Sequence, residues 1–166
     1  MAVDFVLQRE RTMAKEHHFA ARLVWTGAEQ SPIKDYQSYS RDYRVEVEGK
    51  PPLVGSSDPK FLGDAGKHNP EDLLVIALSA CHLLSYLAFC ARAGIEVVEY
   101  EDQASGMMAI KDGRMRFVEV TLAPKVTIAA GDLEQAEALH EKAHDACFIA
   151  NSVNFPVLHM PTVTRA

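Results

Sequence analysis

Polar and apolar residues alternate along several stretches of this chain, and each alternation predicts a strand. Phe19, Ala21, Leu23 and Trp25 share one face of a first strand over residues 19–25. Between Tyr39 and Glu48 the pattern is stricter. Tyr39, Arg41, Tyr43, Val45 and Val47 fall on one side, and Arg44, Glu46 and Glu48 on the other. Gly49-Lys50-Pro51 turns the chain into a short third strand at Leu53-Val54, and the polar, glycine-containing residues 55–68 read as a loop. Ile95 to Ile110 and Met115 to Ile128 predict two long strands joined through Asp112-Gly113, a hairpin turn. Pro124 marks an edge or a bulge there, and Pro156 to Thr164 supplies a last strand.

Two segments carry helical patterns instead. Asn69-Pro70 opens the first: asparagine caps the free amides, proline suits the first helical position, and Glu71 and Asp72 suit the positive end of the dipole. Gly94 ends it. Asp132-Leu-Glu-Gln135 resembles a capping box opening the second, whose apolar stripe is Leu133, Ala136, Leu139, Ala143, Cys147 and Ala150. The order β-β-β-α-β-β-α-β predicts an α+β fold. Residues 1–16 form a polar extension and residues 17–166 a single domain.

Leu73 to Ala91 holds no Asp, Glu, Lys or Arg and reaches the length of a membrane span. It also holds His82, Ser79, Ser85 and Tyr86, with no basic cluster at one flank. A helix apolar all round is equally the core of a soluble protein or dimer, the reading preferred here.

Composition narrows the partners. Hydrophobic residues make up 48% of the 166 and charged residues 24%, enough for a real core. The net charge of −6, with no dense basic block, argues against nucleic acid. The first 19 residues carry charges throughout and no apolar run, so no secretory leader is expected. Three widely spaced cysteines do not make a disulfide scaffold and fit a reducing, cytoplasmic setting, where a disulfide is transient and catalytic.

Two of those cysteines are candidates for chemistry. Cys81 lies mid-helix in the long apolar run, and Cys147 on the apolar stripe of the second helix. Two buried thiols are ordinarily small hydrophobes, which is how Cys90 reads. A reactive Cys81 needs a nearby cation to hold its thiolate. Strand parity turns Arg41 inward and Arg44 outward, and a buried arginine needs a carboxylate such as Glu71.

The block Asn69-Pro-Glu-Asp-Leu-Leu through Ala80-Cys81-His82, with the later Ala146-Cys147-Phe-Ile-Ala-Asn-Ser152, resembles the OsmC/Ohr family over roughly residues 18–164. These are thiol-dependent peroxidases that reduce organic hydroperoxides, and the loop segments resemble the OsmC-like branch. The resemblance implies an OsmC-like fold in an intertwined homodimer, with sites at the subunit interface. It implies Cys81 as the peroxidatic cysteine, Cys147 as the resolving cysteine, and Glu71 with an upstream arginine as the activating pair. Parity selects Arg41 over Arg44 for that arginine. A lipoyl-type dithiol is the implied reductant, and no cofactor or metal ion enters the reading. The chain departs from the frequent Cys-Pro pattern at the second cysteine, with Phe148 after Cys147.

Glu71 and Cys81 are ten residues apart, about 15 Å along one helix. Two central helices paired antiparallel would let Arg41 and Glu71 of one subunit serve Cys81 of the other. Tyr39, Tyr43, Leu78, Leu84, Tyr86 and Phe148 are candidates for lining a substrate pocket, or for plain core.

Two other classes compete. One is a non-catalytic, stress-related binding dimer of the same fold. The other is a zinc hydrolase, because His140-Glu141-Lys-Ala-His144 matches H-E-x-x-H. A third ligand is hard to find, since position 150 is Ala and no glutamate follows Glu141, and Glu137, His140, Glu141 and His144 read as a solvated face opposite the Leu139/Ala143/Cys147 stripe. His82 points about 100° away from Cys81 and reads as structural or interfacial, not as its base.

Overall fold

The computed structural model describes residues 16–29 and 32–166, so nearly all of the polar extension of residues 1–16 and the leader question lie outside the described residues. Three short strands come first: β1 (Arg22–Trp25), β2 (Tyr43–Glu46) and β3 (Leu53–Gly55). They form one antiparallel sheet, with Trp25 opposite Tyr43 and Tyr43 opposite Gly55. The first strand is shorter than its alternation predicts: Phe19 is exposed and precedes the strand. Arg44 pairs with Glu46 at 3.0 Å and Arg22 with Glu46 at 2.7 Å, so the polar parity face is the solvent face.

α1 (Pro70–Ala93) forms as its ends predict. The Asn69 side chain accepts the Asp72 N–H at 2.7 Å, Asp72 reaches back to the Asn69 N–H, and Gly94 closes the helix at φ 70°. α1 passes from one core to another. Leu78 packs with Val120, Leu122 and Val157, while Tyr86 and Cys90 pack with Ile95, Val126, Ile128, Ala136, Leu139 and Ala143.

Each long strand expected from the pattern is two strands. β4 (Glu96–Asp102) and β5 (Ser105–Lys111) replace the first, and β6 (Arg114–Leu122) and β7 (Pro124–Ala130) the second. The C-terminal segment likewise divides into β8 (Val157–His159) and β9 (Thr162–Arg165). The order is therefore β-β-β-α-β-β-β-β-α-β-β, still α+β. The resulting sheets run β4-β7-β9 and β5-β6-β8, with β8 and β9 parallel to their neighbours. Pro124 and Pro161 lie at the crossings from one sheet to the other, where a missing N–H does no harm to a ladder. The Asp112-Gly113 turn joins β5 to β6, with φ 52° at Asp112 and 73° at Gly113.

α2 (Leu133–Asp145) starts where Asp132 accepts the Gln135 N–H at 2.7 Å. It ends before Cys147, which sits on the following turn, and Ala150 begins a short 3₁₀ turn. α1 is the one described helix long and apolar enough to cross a membrane by length and composition.

Candidate active site

α1 places Cys81 half-buried, between the core residue Leu78 and the buried His82. Cys147 is held by the end of α2: its N–H donates to the His144 carbonyl at 3.1 Å. Its sulfur accepts the Ala150 N–H at 3.4 Å. The Cys147 thiol lies near disulfide distance from Cys81, and both are free. Burial first, and then the Cys81 thiol beside it, push the Cys147 thiol up to about 11. The pair is therefore unequal. One thiol is partly open to solvent, and the other is 1% exposed and protonated at neutral pH. Such a pair can react in sequence, the open thiol first. Cys90 is the inert control expected of it, 1% exposed and pushed up by burial.

Glu71 stands in the first turn of α1 and lines a cleft of about 720 Å³ with Phe61, Val75, Met108 and Phe117. Arg41 and Pro70 line a neighbouring hollow with Trp25, Tyr39 and Tyr43. The two thus approach the same end of α1, and burial and then the Glu71 and Asp72 charges raise the Tyr43 phenol between them. No ion pair joins Arg41 to Glu71 among the described residues. The Arg41 guanidinium donates to the carbonyls of Tyr39 and Tyr36 and lies 3.8 Å from the Tyr39 ring centre. Its Nε is buried without a partner. Within one chain, the Arg41 guanidinium is taken up by Tyr36 and Tyr39 and not by Cys81.

The pocket expected of six apolar residues does not exist as a unit. Leu78 and Tyr86 are sealed in the core, Leu84 and Phe148 are exposed, and only Tyr39 and Tyr43 share a hollow. The solvated face expected of α2 is also corrected at His140, which is fully buried. Positions 136, 140, 143 and 147 follow helical spacing, so His140 belongs to the apolar stripe. That signal was present in the sequence. His140 Nδ1 meets His82 Nε2 at 3.0 Å, and its ring stacks on Tyr86 at 3.8 Å. His140 is thus engaged, Glu141 pairs outward with His159 at 3.2 Å, and no group of three or more possible metal ligands forms among the described residues. The hydrolase reading loses its ligand set on this geometry.

An α+β fold that lays an accessible thiol of its central helix against a buried one beyond its second helix defines a dithiol protein. The chain belongs to the OsmC-like protein family, whose model matches residues 63–159. It is similar to a structure of an OsmC-like protein of unknown function from Vibrio cholerae, at 30% identity and a TM-score of 0.82. That likeness covers 89% of this chain and 100% of the other. An organic hydroperoxide resistance protein from Elizabethkingia anophelis shares the fold at a TM-score of 0.66 and 22% identity, over 93% of this chain and 100% of its own. The uncharacterized protein YmaD of Bacillus subtilis is 22% identical over 143 residues, 83% of this chain and 87% of its own length.

Proposed function

We propose that the protein is a thiol-dependent peroxidase that reduces organic hydroperoxides to alcohols. The observation that carries this is the unequal Cys81–Cys147 pair, with its contact and its difference in exposure. The Cys81 thiolate attacks the distal peroxide oxygen, the O–O bond breaks, and the alkoxide takes a proton and leaves as an alcohol. Cys81 becomes a sulfenic acid. Cys147 condenses with it, releasing water and forming the disulfide. An external dithiol, of lipoyl type, then exchanges with that disulfide and restores both thiols. The apolar cleft beside Glu71, lined by Met108, Met115 and Phe117, suits the organic part of the peroxide.

The reading includes a homodimer in which Arg41 and Glu71 of one subunit serve Cys81 of the other. Supporting it, Ile76 and Leu84 of α1 are 48% and 67% exposed in one chain, on a helix with no charged residue between Leu73 and Ala91. An exposed apolar helix surface of that kind marks an interaction site. Arg41, in no ion pair among the described residues, is the cation offered to the thiolate and the peroxide oxygens. A cytoplasmic setting completes the reading, since the cycle needs free thiols.

Cumene hydroperoxide consumption, with a dithiol supplied, tests it. Wild type turns over, and Cys81→Ser loses about a hundredfold or more. Equal consumption by both overturns the enzyme and leaves a binding dimer of the same fold.

A further inference from the structure

Four histidines that the cysteine chemistry does not use form an array between α1, α2 and β8. His82 and His140 are 1% and 0% exposed and share a hydrogen bond of 3.0 Å with their rings nearly parallel, at 9°. His159 of β8 lies against His82, with ring centres 5.7 Å apart, and stacks on His144 at 5.0 Å. Tyr86 closes the stack on His140. Two of these residues adjoin the thiols. His82 is the residue after Cys81, and the carbonyl of His144 accepts the N–H of Cys147.

A disulfide forms only when two sulfurs meet within a narrow window of distance and torsion. Cys81 and Cys147 sit on separate elements whose shared surface is otherwise apolar: Tyr86, Cys90, Ala136, Leu139 and Ala143. Apolar contact is non-directional and lets two helices settle in more than one register. A hydrogen bond between two buried rings does not, because it holds only over a narrow range of distance and angle. The bond is also expensive to break in the dry interface, where each nitrogen would be left without water.

We propose that the His82–His140 bond is a positioning device for the reaction, setting the register of α1 on α2 and so the approach of Cys147 to Cys81. This inference rests on the peroxidase reading. It assigns the two histidines to the second step, the condensation of Cys147 with the sulfenic acid, and not to peroxide attack. The array acts through the thiols and touches no substrate.

The test separates the two steps. The Cys81–Cys147 couple is equilibrated in glutathione buffers, where two thiols are oxidised as one glutathione disulfide is reduced to two thiols. In His140→Leu the constant for disulfide formation falls about tenfold, a shift of about 30 mV for this two-electron couple. His140→Asn, which can put a hydrogen-bonding atom where Nδ1 was, restores most of it. The double variant His82→Leu/His140→Leu leaves no orphaned nitrogen and separates the lost link from lost folding; it shows the same shift as His140→Leu. The rate of Cys81 sulfenic acid formation by cumene hydroperoxide stays within about twofold of wild type in each variant. An unchanged potential in His140→Leu and in the double variant overturns the inference. So does a sulfenate rate that falls as much as the potential shifts. A wild-type pair that forms no disulfide at any glutathione ratio overturns the inference and the peroxidase reading together. A disulfide that forms without peroxide consumption overturns the peroxidase reading alone, and the potentials still judge the histidines.

Discussion

Oδ1 of Asp102 accepts the backbone N–H of Ala123 at 2.7 Å, at the point where β6 gives way to β7. Its second oxygen accepts the Ser79 hydroxyl at 2.5 Å, one turn of α1 before His82. One carboxylate thus fixes the break between two sheets and the helix that crosses them. Asp102→Ala should cost about 2–3 kcal/mol, for two charge-assisted bonds and the groups they leave behind. Asp102→Asn, which can keep the bond to Ala123, should cost less. Urea unfolding of both variants checks the order.

The histidine pair makes stability fall in acid. Burial first, and then the His159 charge, hold His82 down to about 4, although Asp102 pulls the other way. Burial, and then His82, hold His140 down to about 3. The other polar groups around them are Tyr86 on α1, Glu141 and His144 on α2, Tyr100 on β4 and His159 on β8. About one pH unit above 6.5, the unfolded value, both rings are neutral in the folded and unfolded chains, so their contribution is complete. Below it the unfolded chain takes up protons that the folded chain refuses, and stability falls until the folded values are reached. The slope is roughly 1.4 kcal/mol per pH unit for each ring. Urea midpoints between pH 7 and pH 5 should show it, and His82→Gln should remove about half of the slope. A flat profile in wild type would contradict the burial of both rings.

Leu84 tests the assembly. Its side chain is 67% exposed although it sits mid-helix in the apolar run. Leu84→Asp should leave one chain folded, because the residue supports neither core, and should drive a dimer to monomer in sedimentation. If α1 pairs across the interface, peroxide consumption should fall with the dimer, in proportion to the monomer fraction. A Leu84→Asp protein that sediments unchanged would place the interface elsewhere.

Much of this molecule could be read from the chain because the signals were local. Asn69, Pro70 and Gly94 bound α1 to the residue, since caps depend on side chains within one turn. Asp112-Gly113 made its hairpin for the same reason. Cys81 and Cys147 stood out by family resemblance, and the structure brings them into contact. Arg41 shares a hollow with Tyr39 and Tyr43, while the role proposed for it at the thiol calls for a second chain.

What stayed hidden depended on neighbours far along the chain. Alternation continues through a strand that changes sheets, so β4 and β5, or β6 and β7, look like single strands until Asp102 takes the Ala123 N–H. The same holds for His140. Its helical position is local, but whether a histidine at that position meets water or another imidazole is settled by His82, 58 residues away. By itself the sequence determined where both helices start and where α1 ends, the α+β class and the two thiols, because each is written in residues a few positions apart. Only the tertiary structure decided where the sheets break, that four histidines share one interface, and that one thiol is open while the other is sealed. Those outcomes follow from which surfaces exclude water together, and that is a property of the packed chain.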